Sequence, residues 1–170
     1  MSAFWTKLTR RDRLVRPLMG SYRAISSASV DQLWQTVMDF ADVSWHPIWA
    51  KTDVPSGLLP KPGLIFKAVT YLSPIPVQMF VERVNPHELL SIRVLAIPGL
   101  EERITYRVES TLCGTYISYS VTLKGWLSPL VWSIIRPYAE KVADRLAHAA
   151  EQAQFSPALP NRSIREQFQD

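Results

Sequence analysis

Two segments in the second half of the chain alternate so strictly that they leave little choice of architecture. Between Arg103 and Glu109, the apolar Ile104, Tyr106 and Val108 share one parity, and Arg103, Thr105, Arg107 and Glu109 share the other. Between Thr115 and Lys124, Ile117, Tyr119, Val121 and Leu123 oppose Ser118, Ser120, Thr122 and Lys124. Successive side chains of a strand point to opposite faces, so each segment has one dry face and one wet face. Strands of that kind build an antiparallel sheet covered on a single side. Leu64–Tyr71, Val77–Val84 and Leu89–Ala96 read as further strands. They are separated by turn signals at Pro62-Gly63, Ser73-Pro74, Asn85-Pro86, Pro98-Gly99 and Cys113-Gly114. The connectors are too short for parallel crossovers.

The dry face needs a cover, and the ends of the chain supply it. After a short first strand within Gly20–Ser27, Ser29 and Gln32 stand at capping-box spacing. Val30, Leu33, Trp34, Val37 and Met38 then form one helical stripe, and a second short helix over Phe40–Val43 completes a pair that His46-Pro47 ends. Ser128-Pro129 opens a last helix. Its stripe runs through Val131, Ile134, Ile135, Tyr138, Val142, Leu146 and Ala149, with a kink expected at Pro137.

Composition limits what such a body does. The 170 residues suit one domain, 1–19 and 155–170 reading as appendages to a body at 20–154. The net charge of +4 resides in the first 20 residues, where Lys7, Arg10, Arg11, Arg13 and Arg16 face only Asp12; the remainder is balanced. A neutral body lacks the broad basic face of a nucleic-acid binder. The basic N-terminal segment, with Phe4, Trp5 and Leu8, suits peripheral contact with an anionic membrane. No run is apolar enough to span a bilayer, and Cys113 is the sole cysteine, which fits the cytoplasm. The three histidines (His46, His87, His148) have no ligand spacing, so no metal or cofactor is expected. Neither a nucleophile elbow nor a phosphate loop is present.

The order of elements resembles the helix-grip fold of the START-like (SRPBCC) superfamily, in particular its polyketide cyclase/dehydrase-like and lipid-transport-like members. The residues that carry the resemblance are Val30-Asp31-Gln32-Leu33-Trp34 at the first helix, Pro62-Gly63 before a strand, Val81-Glu82-Arg83-Val84-Asn85-Pro86 at a hairpin and Gly114-Thr115 opening the last strand. Asn85 stands where the family pattern has an acid. The resemblance implies an α+β domain whose antiparallel sheet wraps a long C-terminal helix. It also implies a cavity between them for a hydrophobic or amphipathic small molecule such as a lipid, isoprenoid, quinone or polyketide-like compound.

Strand parity then nominates the lining: Phe66, Met79, Val81, Ile92, Tyr106 and Tyr119 from the sheet, and Val131, Ile135 and Tyr138 from the helix. Trp45 and Trp49, in a loop around His46, are placed to gate the mouth. Buried phenols orient a polar group of a ligand. His46 is the weak catalytic candidate, because imidazole titrates near neutrality. Arg83 shares parity with Met79 and Val81, so it points inward unless the strand turns it out. The first reading is a carrier or sensor; the second is a cyclase/dehydratase-type enzyme, since the scaffold does not dictate a reaction. A partner-binding module is a third.

Overall fold

The computed structural model describes residues 17–96, 98–112 and 114–155. The appended segments and Cys113 therefore lie outside the described residues, apart from the junctions at 17–19 and 155. Seven strands form one antiparallel sheet: β1 (Leu18–Ser26), β2 (Trp49–Thr52), β3 (Ile65–Thr70), β4 (Ser73–Asn85), β5 (Leu89–Leu95), β6 (Leu100–Thr111) and β7 (Gly114–Gly125). Their order is β1-β7-β6-β5-β4-β3-β2, so the first strand closes against the last. Helix α1 (Val30–Met38) follows β1, and α2 (Ser128–Ala139) and α3 (Val142–Phe155) end the described chain. This curled sheet gripping a bent C-terminal helix is the helix-grip architecture.

Local chemistry explains most boundaries. Ser29 and Gln32 make both bonds of the capping box, at 3.2 and 3.1 Å. The second helix expected over Phe40–Val43 is instead a run of turns. Asp39 Oδ1 accepts from the Ala41 and Asp42 amides, and Asp42 Oδ1 from Ser44, so side chains satisfy the backbone that a helix would have used. Leu18 and Met19, counted with the appendage from sequence, begin β1 opposite Leu123 and Thr122. The final helix is divided, not merely kinked. Pro137 has no N–H to offer Ser133, and the chain turns at Glu140-Lys141 before α3 begins.

Beneath these helices, the inward parity of the middle strands β5, β6 and β7 is closed to solvent along most of its length. Val81, Leu90, Ile92, Ile117, Tyr119, Val121 and Leu123 are fully buried, as are Val142, Leu146 and Ala150 of α3, which packs on β1, β7 and α1. Two glycines set how the ends meet. Gly20 lies under the indole of Trp132, which would collide with any Cβ there. Gly125 has φ 128°, and its Cβ would strike the Gly99 carbonyl.

A bulge between Val81 and Arg83 re-aims one residue of β4. Arg83 therefore turns to solvent and bonds Asn85 Oδ1 at 3.1 Å, resolving its parity outward. Glu82 takes the outer face, where Arg93 and Arg103 both reach it; Arg103 Nε lies 2.7 Å from Glu82 Oε2. Glu82 is thus largely covered by two guanidinium groups.

Candidate functional site: a polar array inside an apolar sheet

The segment after α1 carries His46 into the middle of the core. Its backbone N–H bonds the Val43 carbonyl at 2.9 Å, and its ring is completely buried. Nδ1 accepts from the amides of Ile48 and Trp49, both at 3.1 Å. The proton therefore sits on Nε2, which donates to the Tyr106 hydroxyl oxygen at 3.0 Å. Burial, assisted by the positive charge of Arg145, lowers the His46 pKa to about 3. The imidazole is neutral near pH 7 and serves as a fixed donor rather than as a base.

Aromatic rings surround this bond. Trp49 stacks on His46 with centroids 4.4 Å apart, and Trp45 approaches the same ring at 5.1 Å. Tyr119 lies 5.2 Å from Tyr106, and Phe66 closes the row against Phe40 at 4.9 Å. Trp49 is not a loop residue, as the sequence reading had it. It opens β2, a four-residue strand too short for alternation to reveal, and only 3% of it is exposed.

The array is not fully satisfied. Tyr119 Oη and Trp45 Nε1 are buried with no hydrogen-bond partner among the described residues. Glu102, opposite Leu123 and Val94 in register, shares the inward parity of Ile104 and Tyr106. It makes no ion pair among the described residues, whereas Glu101 on the other parity approaches Arg93 and Arg103. Burial raises the Glu102 pKa to about 7. Burial, and then the carboxyl of Glu102, push the Tyr106 phenol up, and burial first of all does the same to Tyr119. Glu102 was missed from sequence because the strand was taken to begin at Arg103; its parity with Tyr106 was the available signal.

The structure therefore brings Trp45, His46, Trp49, Phe66, Tyr106 and Tyr119 together around one hydrogen bond. Met79, Val81 and Ile92 lie on the same buried face, and Ile135 covers it from α2. Val131 is partly buried. Tyr138, expected to point inward, is 36% exposed, as is Ile134 at 48%. Nearly every residue of α2 is apolar, so periodicity could not fix which side faces the sheet.

Two clefts lie beside this interior. One, of about 630 Å³, runs between α1 and the segment Gly57–Pro62, with Trp34, Met38 and Val84 on its walls. The other, of about 430 Å³, lies between α1 and the end of α3, beside Trp45 and Asp42. Among the described residues no group of acids, histidines and cysteines is arranged to hold a metal. No helix among them is long and apolar enough to cross a membrane.

No protein-family model matches the chain, and no curated protein matches it by sequence. Solved structures do match its fold. The Zhui aromatase/cyclase from Streptomyces sp. R1128 superposes with a TM-score of 0.65 at 10% identity, over 82% of this chain and 96% of that one. Ara h 8.0201 gives 0.61 at 12%, over 81% and 99%. The di-domain aromatase/cyclase StfQ of the steffimycin biosynthetic pathway gives 0.63 at 12%, over 82% of this chain and 52% of its own. The chain shares the helix-grip fold with these proteins.

Proposed function

We propose that this protein binds an amphipathic small molecule against the concave face of its sheet, as a carrier or sensor. One observation carries the reading: the Tyr119 hydroxyl is buried in the apolar interior with no hydrogen-bond partner among the described residues, and Glu102, half-buried, shares the inward parity of that face and makes no ion pair among them. Unpaired polar groups in such a place cost stability, and a ligand's polar end satisfies them. The surrounding aromatic and aliphatic side chains would hold the apolar remainder. The His46–Tyr106 bond fixes the Tyr106 ring, so the phenol edge is presented in one orientation. The fold's occurrence in Zhui and StfQ, which are aromatase/cyclases, adds support for a lipid-, quinone- or polyketide-like ligand.

A cyclase/dehydratase-type reaction is the second reading, favoured by one feature. A carboxyl that titrates near 7 can both give and take a proton at neutral pH, and Glu102 is such a group.

The test is titration with fatty acids, isoprenols, quinones and polyphenols, followed through intrinsic tryptophan fluorescence. Tyr119→Phe and Glu102→Gln should each weaken amphiphiles bearing a polar end by roughly tenfold while sparing purely apolar probes. Equal binding by wild type and both variants would remove the polar array from the site.

A further inference from the structure

Donors and acceptors do not balance in the buried array, and His46 decides the sign of the imbalance. Its Nδ1 accepts the amides of Ile48 and Trp49, so the ring proton is held on Nε2 and the Tyr106 oxygen must accept it, at 3.0 Å. The phenol proton of Tyr106 is then left to donate. Tyr119 Oη, on a ring 5.2 Å from that of Tyr106, has no partner among the described residues. Neither has Nε1 of Trp45, a group that can only donate, on a ring 6.3 Å from the same phenol. Three groups with protons to give therefore surround one position of β6.

Charge does not answer them. Glu102, the carboxyl on the same face, lies four residues before Tyr106, about 13 Å along the strand. No lysine or arginine among the described residues is buried, and His46 stays neutral near pH 7, so an anionic end would be desolvated without a counterion. An alcohol would accept a bond but bring a proton of its own, and a water molecule would bring two. A carbonyl oxygen accepts two bonds and brings none. Trp45 also lines the cleft of about 430 Å³ between α1 and the end of α3, so a single indole reaches from that cleft to the array.

We infer that the polar end accepted here is an uncharged carbonyl oxygen, of the ketone or quinone kind, taken up by the Tyr119 and Tyr106 hydroxyls beside the Trp45 indole. His46 is a positioning residue, because its tautomer makes Tyr106 give a proton rather than take one. The inference rests on the proposal that the concave face binds an amphiphile, and narrows it to one polar group.

The test is calorimetric titration of the full chain with four compounds on one skeleton: acetylnaphthalene, the alcohol formed by its reduction, naphthoate and ethylnaphthalene. The ketone should bind about tenfold more tightly than the alcohol or the carboxylate. Tyr119→Phe should erase most of that preference and leave ethylnaphthalene unaffected. The infrared carbonyl band of the bound ketone should lie lower in wild type than in Tyr119→Phe, a difference that a purely structural role of this tyrosine would not produce. Alcohol or carboxylate bound as tightly as the ketone would overturn the inference and leave amphiphile binding standing. A preference and a carbonyl band unchanged in Tyr119→Phe would do the same. No binding of any of the four compounds, the hydrocarbon included, would overturn both.

Discussion

The Nε2–H of His46 points at the hydroxyl oxygen of Tyr106, 60 residues later in the chain, and the 3.0 Å bond between them lies in the middle of the core. It ties the loop after α1 to the centre of β6. Two further bonds to Nδ1 clamp the entry into β2. Tyr106→Phe should leave the fold intact but strand a buried donor, lowering unfolding free energy by about 1–3 kcal/mol in urea titrations. His46→Ala should cost more, about 3 kcal/mol, because two amides and a phenol lose their partner at once.

Acid stability follows from the same imidazole. An unfolded chain protonates His46 near 6.5, whereas the folded ring resists until about 3. The unfolded state binds more protons in that window, so this contribution is complete above pH 6.5 and is lost as pH falls toward 3. Nuclear magnetic resonance should find that His46 does not titrate between pH 4 and 8.

Glu102 has the opposite sign. Its folded pKa, about 7, lies above its ordinary value of 4.5, so the folded state binds the extra proton between them. Its contribution is most favourable below 4.5 and fades as pH rises to 7. Glu102→Gln should therefore raise the melting temperature at pH 8 and leave it nearly unchanged at pH 4. A variant less stable than wild type at pH 8 would mean that Glu102 has a partner in the folded protein.

On the outer face, Glu82 separates two arginines that stand directly opposite each other in β5 and β6. Desolvation raises its pKa, but hydrogen bonds and charge from Arg103 and Arg93 outweigh that and leave it lowered. Its stabilising effect is present above pH 4.5 and lost on acidification. Glu82→Gln should cost about 1–2 kcal/mol at neutral pH, and Arg93→Gln in that background should recover part of it, as a double-mutant cycle would show.

Gly125→Ala should be among the most damaging single-methyl changes. It places a Cβ against the Gly99 carbonyl at a backbone angle that other residues avoid, so a loss of about 2 kcal/mol or more is expected in thermal unfolding.

Much of the fold was legible because its signals are local. Alternation through Tyr106 and Tyr119 gave two strands with the correct inward face, and the Ser29–Gln32 pair gave the start of α1. β2 was missed because four residues cannot show a period. The outward turn of Arg83 depends on a bulge, which parity alone does not reveal. Tyr138 was placed inward because α2 is apolar on nearly every side, leaving tertiary contacts to choose its buried face. Of the buried aromatic cluster, the inward faces of Phe66, Tyr106 and Tyr119 were readable from strand parity, whereas Trp45 and Trp49 were read as loop residues. The His46 contact with Tyr106 was not readable, because 60 residues separate them and only the closed sheet unites them.

The central claim is that the concave face retains an amphipathic molecule, and mass spectrometry tests it most directly. The protein should be purified without detergent, weighed under native conditions and then extracted into organic solvent. The account predicts a one-to-one adduct that is lost on extraction and recovered as a lipophile, with Tyr119→Phe retaining less of it. An apo mass that stays unchanged after saturation with the amphiphile panel, in wild type as in the variant, would contradict it.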